Sequence, residues 1–184
     1  MMTIQKEQRM VVTQRDCAAR LVPSGEPITI PKNTFITITQ AKGGTFTVTY
    51  KGNMARVDGT DAEAIGCEPT ELKFSTPDNG QFQESHVWEA LNTIYDPEMP
   101  VNIVDLGLVY GVETRPRSDG KTNLILTMTL TSATCGMGQV LTDDVKYRLS
   151  KVPHIGNVEV KLVFDPPWDR ERISDEAKLE LGLL

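Results

Sequence analysis

The 184-residue sequence has few of the residues that build a disulfide framework or a metal knuckle. Its three cysteines, Cys17, Cys67 and Cys135, are far apart and odd in number, and it has two histidines. This spacing excludes a disulfide framework and a C-x-x-C metal site. The sequence also lacks a long apolar run for a membrane span and, near its start, the apolar core of a signal peptide. We therefore expect a soluble, cytoplasmic protein with free thiols.

Clustered basic residues are also missing. The formal net charge is −6 and the pI is about 5.0, whereas phosphate binding needs clustered Lys and Arg. The short motifs of P-loop, dinucleotide-binding, zinc-hydrolase and serine-hydrolase proteins do not occur either. The sequence predicts neither a nucleic-acid-binding protein nor a nucleotide-driven or conventional hydrolytic enzyme.

Two segments that differ in composition and in hydrophobic periodicity predict an α+β protein. Residues 1–74 are rich in Thr and Gly and predict a small β domain, either an antiparallel sheet or a partly closed barrel. The runs "TFITITQ" (34–40) and "TFTVTY" (45–50) alternate with period two and are joined by "AKGG". The proline-bounded "EPITIP" (26–31) is typical of an edge strand. Residues 75–85, which combine Pro, Asp, Asn, Gly and Ser, predict a linker.

The second segment predicts a compact domain over 86–165 with the order α-β-β-α-β. Its first helix should begin at Ser85, a possible N-cap, and end at Asp96, because the following Pro97 disfavours the helical conformation there. The remaining elements are strands at 103–113, 123–131 and 158–164, an amphipathic helix at 135–150, and a tail at 166–184 with a short helix.

Cys135 lies between the second strand and the second helix, in "TLTSATCGMGQVL". Unpaired N–H groups at a helix start favour an anion and lower the pKa of a thiol placed there. Gly136 and Gly138 remove side-chain bulk, so that a metal, a cluster or a partner could approach closely. A buried, purely structural thiol remains the alternative.

Asp96, Glu98 and Asp105 form a second unusual group, in "YDPEMPVNIVDLG". Carboxylates in such a loop can bind a cation, act as acid or base, or accept hydrogen bonds from loop N–H groups. An ordinary turn at Asp96 and a solvated Glu98 are the simpler interpretations.

The strings "DPEMPVNIVDLGLVYGV", "LTMTLTSATCGMGQVL" and "VEVKLVFDPPWDRERISDEAKLELG" together resemble the SufT group of the PaaD-like iron–sulfur assembly domains, over roughly residues 85–184. The resemblance implies an auxiliary role in maturing iron–sulfur proteins. The protein would carry or help transfer a cluster, or bring the assembly scaffold to apo-proteins, without catalytic turnover. Scaffold proteins and apo-client proteins would be its partners, and a homodimer is expected by the same analogy.

The resemblance also assigns roles to residues of this chain. The acidic motif falls on Asp96 and Glu98, with Asp105 in the same string. The reactive cysteine falls on Cys135, and the threonine at the strand end on Thr129 or Thr131. Relatives commonly have Pro-Gly before this cysteine, where this chain has Ala133-Thr134, and Thr134 can serve as an N-cap.

One cysteine cannot complete a four-thiolate cluster site. We therefore expect a transient iron–sulfur cluster or iron whose other ligands come from other molecules, or no resident cluster at all. Two alternatives stay open. The protein can be an adaptor that binds no metal and uses Trp168 to contact a partner, although Trp168 can equally pack the tail onto the domain. A thiol-dependent enzyme is the weaker alternative, because no base is paired with the cysteine in the sequence.

Overall fold

The computed structural model describes residues 8–42, 44–97, 99–132 and 138–184. The chain divides into two units, Met1–Glu71 and Leu72–Leu184. The predicted α+β class is confirmed, because strands build the first unit and strands and helices build the second. The segment 75–85, predicted as a linker, belongs to the second unit, where Phe82 packs against its core.

The described residues of unit 1 form one antiparallel sheet of six strands in the order β1-β4-β5-β6-β2-β3. The strands are β1 (Arg9–Val12), β2 (Cys17–Leu21), β3 (Pro27–Ile30), β4 (Phe35–Lys42), β5 (Thr45–Tyr50) and β6 (Asn53–Asp58). A 3₁₀ segment, Gly59–Ile65, follows β6.

Period-two alternation explains the core of unit 1. Ile36 and Ile38 of β4 and Val48 of β5 are buried on one face, because successive side chains of a strand point to opposite faces. The edge position predicted for the proline-bounded strand is confirmed, since β3 lies at one end of the strand order. The strands β1 and β2 were not predicted, because "RMVV" and "CAARL" lack alternating β-branched residues.

Unit 2 has the predicted order α-β-β-α-β, which is confirmed. Its elements are α1 (Glu84–Leu91), β7 (Val109–Pro116), β8 (Thr122–Met128), α2 (Gly138–Leu149) and β9 (Ile155–Leu162), followed by α3 (Asp175–Glu180). The sheet order is β7-β8-β9. The pair β7 and β8 is an antiparallel hairpin, and β9 runs parallel to β8 after the α2 crossover.

The core of unit 2 follows the two predicted periodicities. Residues of β8 alternate between buried and half-buried positions. In α2, buried apolar residues recur every four positions. The buried members are Leu124, Leu126, Met128, Leu141, Val145 and Leu149. The buried side of α2 and the face of β8 that carries Leu124, Leu126 and Met128 therefore form one apolar layer.

The first helix and the first strand of unit 2 differ from the prediction. Helix α1 begins after Gln83, so Ser85 is not its N-cap. The helix ends at Leu91 rather than Asp96, because the N–H groups of Thr93 and Ile94 donate three residues back, to the carbonyl oxygens of Ala90 and Leu91 (both 3.1 Å), and so tighten the last turn. The strand predicted at 103–113 begins at Val109, because the residues before it form a turn.

We expect Leu126→Ala to lower the free energy of unfolding of the protein by about 2–5 kcal/mol, because it removes a fully buried side chain and leaves a cavity. Its neighbour Ile125 is half-buried on the other face of β8, so Ile125→Ala should cost less. Urea unfolding followed by circular dichroism measures both. Equal losses of unfolding free energy would contradict the assignment of the Leu126 face of β8 to the core.

Candidate functional site

Asn102 organises the loop between α1 and β7. Its side-chain oxygen Oδ1 accepts hydrogen bonds from the backbone N–H groups of Val104 (3.0 Å) and Asp105 (2.9 Å). Its Nδ2 donates to Oδ2 of Asp105 at 2.6 Å. An asparagine used in this way caps a turn, so the half-buried carboxylate of Asp105 helps to hold the loop. The spacing N-x-x-D in "VNIVDLG" is the signal that predicts such a turn, and the sequence interpretation missed it.

Asp96 lies at the start of this loop and is buried. Its Oδ1 accepts from the N–H of Met99 at 3.0 Å, and its own N–H donates to the carbonyl oxygen of Val101 at 3.1 Å. The backbone of Tyr95 pairs with that of Asn102 in an isolated β-bridge. The turn interpretation of Asp96 agrees with these contacts, and a ligand role stays a prediction. Glu98, which lies between Asp96 and Met99 in the sequence, is outside the described residues.

Cys135 and Gly136 also lie outside the described residues. Gly138 is the first described residue of α2 and is buried. A Cβ atom added at Gly138 would lie 2.7 Å from Cδ1 of Leu130 and 3.8 Å from Cδ2 of Leu162. The missing side chain at Gly138 therefore lets the start of α2 pack against the ends of β8 and β9.

Thr129 connects the loop to the strand end that leads to Cys135. Its N–H donates to the carbonyl oxygen of Leu108 at 2.8 Å. Its Oγ1 is buried and has no hydrogen-bond partner among the described residues, whereas Thr131 is half-buried. A buried hydroxyl without a partner costs free energy. Of the two threonines that the resemblance offered, Thr129 is the buried one.

The C-terminal tail packs over the same loop. The N–H of Ser174 donates to the carbonyl oxygen of Asp105 at 2.8 Å, and Nε1 of Trp168 donates to that of Leu106 at 2.6 Å. Gly107 has a φ of +74°, and a Cβ there would lie 2.4 Å from the carbonyl oxygen of Arg172. A side chain at position 107 would thus collide with the backbone of the tail.

Further contacts hold the tail beside β7. The hydroxyl of Tyr110 donates to the carbonyl oxygen of Pro166 at 2.7 Å, and the guanidinium of Arg172 lies 4.7 Å from the centre of the Tyr110 ring. Ile173 and Ala177 are buried in the core of unit 2. The tail is thus a structural part of this unit, and it fixes the backbone of the loop.

Trp168 is partly buried and packs against the core of unit 2. Its indole N–H is hydrogen-bonded to the carbonyl oxygen of Leu106. These contacts agree with the alternative that Trp168 packs the tail onto the domain. A role for Trp168 in partner binding stays a prediction.

The two histidines have structural contacts. His86 is buried, its Nε2 lies 2.8 Å from the carbonyl oxygen of Thr76, and its ring lies against Phe74. Nε2 of His154 lies 2.7 Å from Oδ1 of Asp78. A hydrogen bond from the N–H of Gly80, and then the contact with His154, lower the pKa of Asp78 below its usual value.

The part of the chain that the structure describes contains no group of three or more Cys, His, Asp or Glu side chains placed to hold a metal ion. In the same residues, no helix has the length and apolar character needed to cross a membrane.

Comparison with known proteins relates unit 2 to one family. A family model described as iron–sulfur cluster assembly protein matches residues 84–162. A Porphyromonas gingivalis protein named Fe-S protein maturation auxiliary factor is 40% identical over 101 residues, which are 55% of this chain and 92% of that protein.

Two further relatives have similar names. The Fe-S protein maturation auxiliary factor YitW of Bacillus subtilis is 41% identical over 100 residues, 54% of this chain and 94% of its own length. The Fe-S protein maturation auxiliary factor SufT of Staphylococcus aureus is 41% identical over 90 residues, 49% of this chain and 98% of its own length. The similarity thus spans nearly all of each relative and about half of this chain.

We expect Gly107→Ala to destabilise the protein by at least about 1–2 kcal/mol, because alanine is strained at positive φ and its Cβ would meet the backbone of Arg172. Gly111→Ala is the matched control, since among the described residues nothing lies within 4 Å of a Cβ built there. Thermal unfolding compares them. A stable Gly107→Ala protein would contradict the close approach of tail and loop.

Trp168→Phe should lower the free energy of unfolding by about 0.5–1.5 kcal/mol, because it removes the hydrogen bond to Leu106 and keeps most of the packing. Trp88→Phe is the control, since Nε1 of Trp88 donates only to the exposed Glu84 at 3.3 Å. Hydrogen exchange should accelerate at the N–H of Ser174 in Trp168→Phe alone. Unchanged exchange there would show that the indole bond does not hold the tail.

Proposed function

Because the chain belongs to the iron–sulfur cluster assembly protein family, we propose that it is an auxiliary factor in the maturation of iron–sulfur proteins. It carries clusters, or helps transfer them, to apo-proteins. The observation that carries this proposal is the identity of 40–41% to relatives named as maturation auxiliary factors, over 92–98% of their length.

In this proposal Cys135 is the residue that binds the cargo. A thiolate is the protein ligand that iron–sulfur clusters use most, and Cys135 precedes the described start of α2 at Gly138 by three residues. The carboxylates of Asp96 and Glu98 are further ligand candidates. The hydroxyl of Thr129 is a candidate to hydrogen-bond the cargo or its ligands, because it is buried and lacks a partner among the described residues.

Transfer is an exchange of ligands. The bond between iron and the sulfur of Cys135 breaks as a client thiolate forms its own bond to that iron, and the proton of the client thiol passes to the released thiolate or to water. No electron is gained or lost in this step. A cluster usually takes four thiolate ligands in all, so one protein thiolate leaves three of them to other molecules, and the cargo is held transiently.

The proposed partners follow from this chemistry. A scaffold protein supplies the cluster and apo-proteins with free cysteines accept it, and both reactions take place in a reducing cytoplasm. The protein is a carrier in this scheme, with no substrate turned over. An adaptor that never binds iron is the competing proposal, and the experiment below separates the two.

We expect Cys135→Ser to abolish support of iron–sulfur enzyme maturation in cells that lack the wild-type protein. Serine keeps the size of the side chain but is a poor ligand for iron. Cys67→Ser is the control, because Cys67 is a half-buried free thiol of unit 1, outside the family match. The readout is the activity of iron–sulfur enzymes in extracts, with the abundance of each variant measured in parallel.

Iron and sulfide analysis after anaerobic reconstitution completes the test. The carrier proposal requires bound iron in the wild type and in Cys67→Ser, and its loss in Cys135→Ser. Full maturation with Cys135→Ser at normal abundance would refute it. Absence of iron from every form, with maturation intact, would favour the adaptor.

A further inference from the structure

The exposed segment before α1 contains the only asparagine of the sequence that is followed by glycine, Asn79-Gly80. The backbone nitrogen of the residue after an asparagine can attack the side-chain amide carbon and expel ammonia. Glycine favours this reaction because it has no side chain to obstruct the approach and leaves the backbone free to turn. The contacts of this turn show which groups assist the reaction in the folded chain.

The attacking atom is the backbone nitrogen of Gly80. Its N–H donates to Oδ1 of Asp78 at 2.8 Å, so a carboxylate already contacts the proton that must leave. This hydrogen bond, and then the contact with His154, lower the pKa of Asp78, which is therefore ionised at neutral pH. A carboxylate in contact with the departing proton is placed to act as a general base.

The atom that is attacked is the side-chain carbon Cγ of Asn79. The amide oxygen Oδ1 bonded to it accepts from the N–H of Gln81 at 3.0 Å. The ring closed by this hydrogen bond runs through the peptide between Asn79 and Gly80, so the amide group is folded back toward the nitrogen that attacks it. The N–H of Gln81 also stabilises the negative charge that the amide oxygen gains during the attack.

The turn has room for the cyclic product. Gly80 has a φ of +82°, and among the described residues nothing lies within 4 Å of a Cβ built there. Asn79 is itself exposed, so water reaches the product. The turn therefore combines a proton acceptor, a polarised amide and open space.

We propose that Asn79 is a modification site at which the folded chain deamidates itself. The nitrogen of Gly80 forms a bond to Cγ of Asn79, and the bond between Cγ and Nδ2 breaks. The proton of Gly80 passes through Asp78 to the leaving nitrogen, which departs as ammonia and leaves a cyclic succinimide. Water opens the ring at either carbonyl group and gives aspartate or isoaspartate. No electron is gained or lost.

The modification changes a turn that is attached to the loop before β9. Oδ1 of Asp78 contacts both the N–H of Gly80 and Nε2 of His154, at 2.8 and 2.7 Å. A new carboxylate adds negative charge next to Asp78, and isoaspartate adds a methylene group to the main chain before Gly80. We expect both contacts of Asp78 to weaken in the modified protein. This inference is independent of the proposed function, because the turn precedes the family match at residue 84.

Peptide mass spectrometry of the full chain, incubated at neutral pH, tests the proposal. We expect the peptide that contains Asn79 to gain the mass change of deamidation, with isoaspartate among the products. Peptides that contain Asn53 or Asn102, which precede methionine and isoleucine, should stay unmodified. The modified form carries an additional negative charge, so ion exchange isolates it, and hydrogen exchange at the N–H of Gly80 should be faster in it.

Asp78→Ala should slow the loss of the Asn79 amide at least about tenfold, because it removes the proton acceptor. His154→Gly is the matched control, since it removes the other contact of Asp78 and keeps the carboxylate. Glycine also accepts the φ of +61° of His154. The control should deamidate at the rate of the wild type, and circular dichroism confirms that both variants are folded.

A further measurement needs no variant. The wild type should deamidate faster at Asn79 when folded than when unfolded in urea at the same pH and temperature, because only the folded turn holds Asp78 and the N–H of Gln81 in place. An intact Asn79 in the folded wild type, a slower reaction there than in urea, or equal rates in the wild type and Asp78→Ala would overturn the proposal.

Discussion

The conformation of the loop at 102–108 depends on the close packing of the C-terminal tail against Gly107. The loop carbonyl groups of Asp105 and Leu106 accept hydrogen bonds from the tail, and the backbone of Arg172 lies where a side chain of residue 107 would be. A loop backbone that is both hydrogen-bonded to the tail and in close contact with it has little freedom to rearrange. The loop at 102–108 and the C-terminal tail are therefore one structural element, although they are separated along the chain.

This element connects to the proposed cargo site through Leu108 and Thr129. The bond between their backbones joins the end of the loop to the end of β8, and the chain continues from there to Cys135. The family match, over residues 84–162, lies within unit 2. Unit 1 lies outside the match.

Much of the fold could be predicted from local patterns. The alternation in β8 and the four-residue repeat in α2 placed the core correctly, because burial of one face imposes these periods on the sequence. Element ends were predicted less well. The end of α1 at Leu91 goes with a tightened turn at Thr93 and Ile94, and the late start of β7 with the cap by Asn102. Each is a single hydrogen bond or cap, which leaves no period in the sequence.

The sequence by itself determined the order of the elements, the core faces, the family and the candidate thiol. These properties depend on residue types a few positions apart, or on motif strings that need no coordinates. Only the tertiary structure decided that Trp168 packs onto Leu106, that Gly107 accommodates the tail, and that His154 contacts Asp78. Those contacts join residues tens of positions apart, so they depend on the path of the folded chain rather than on local preference.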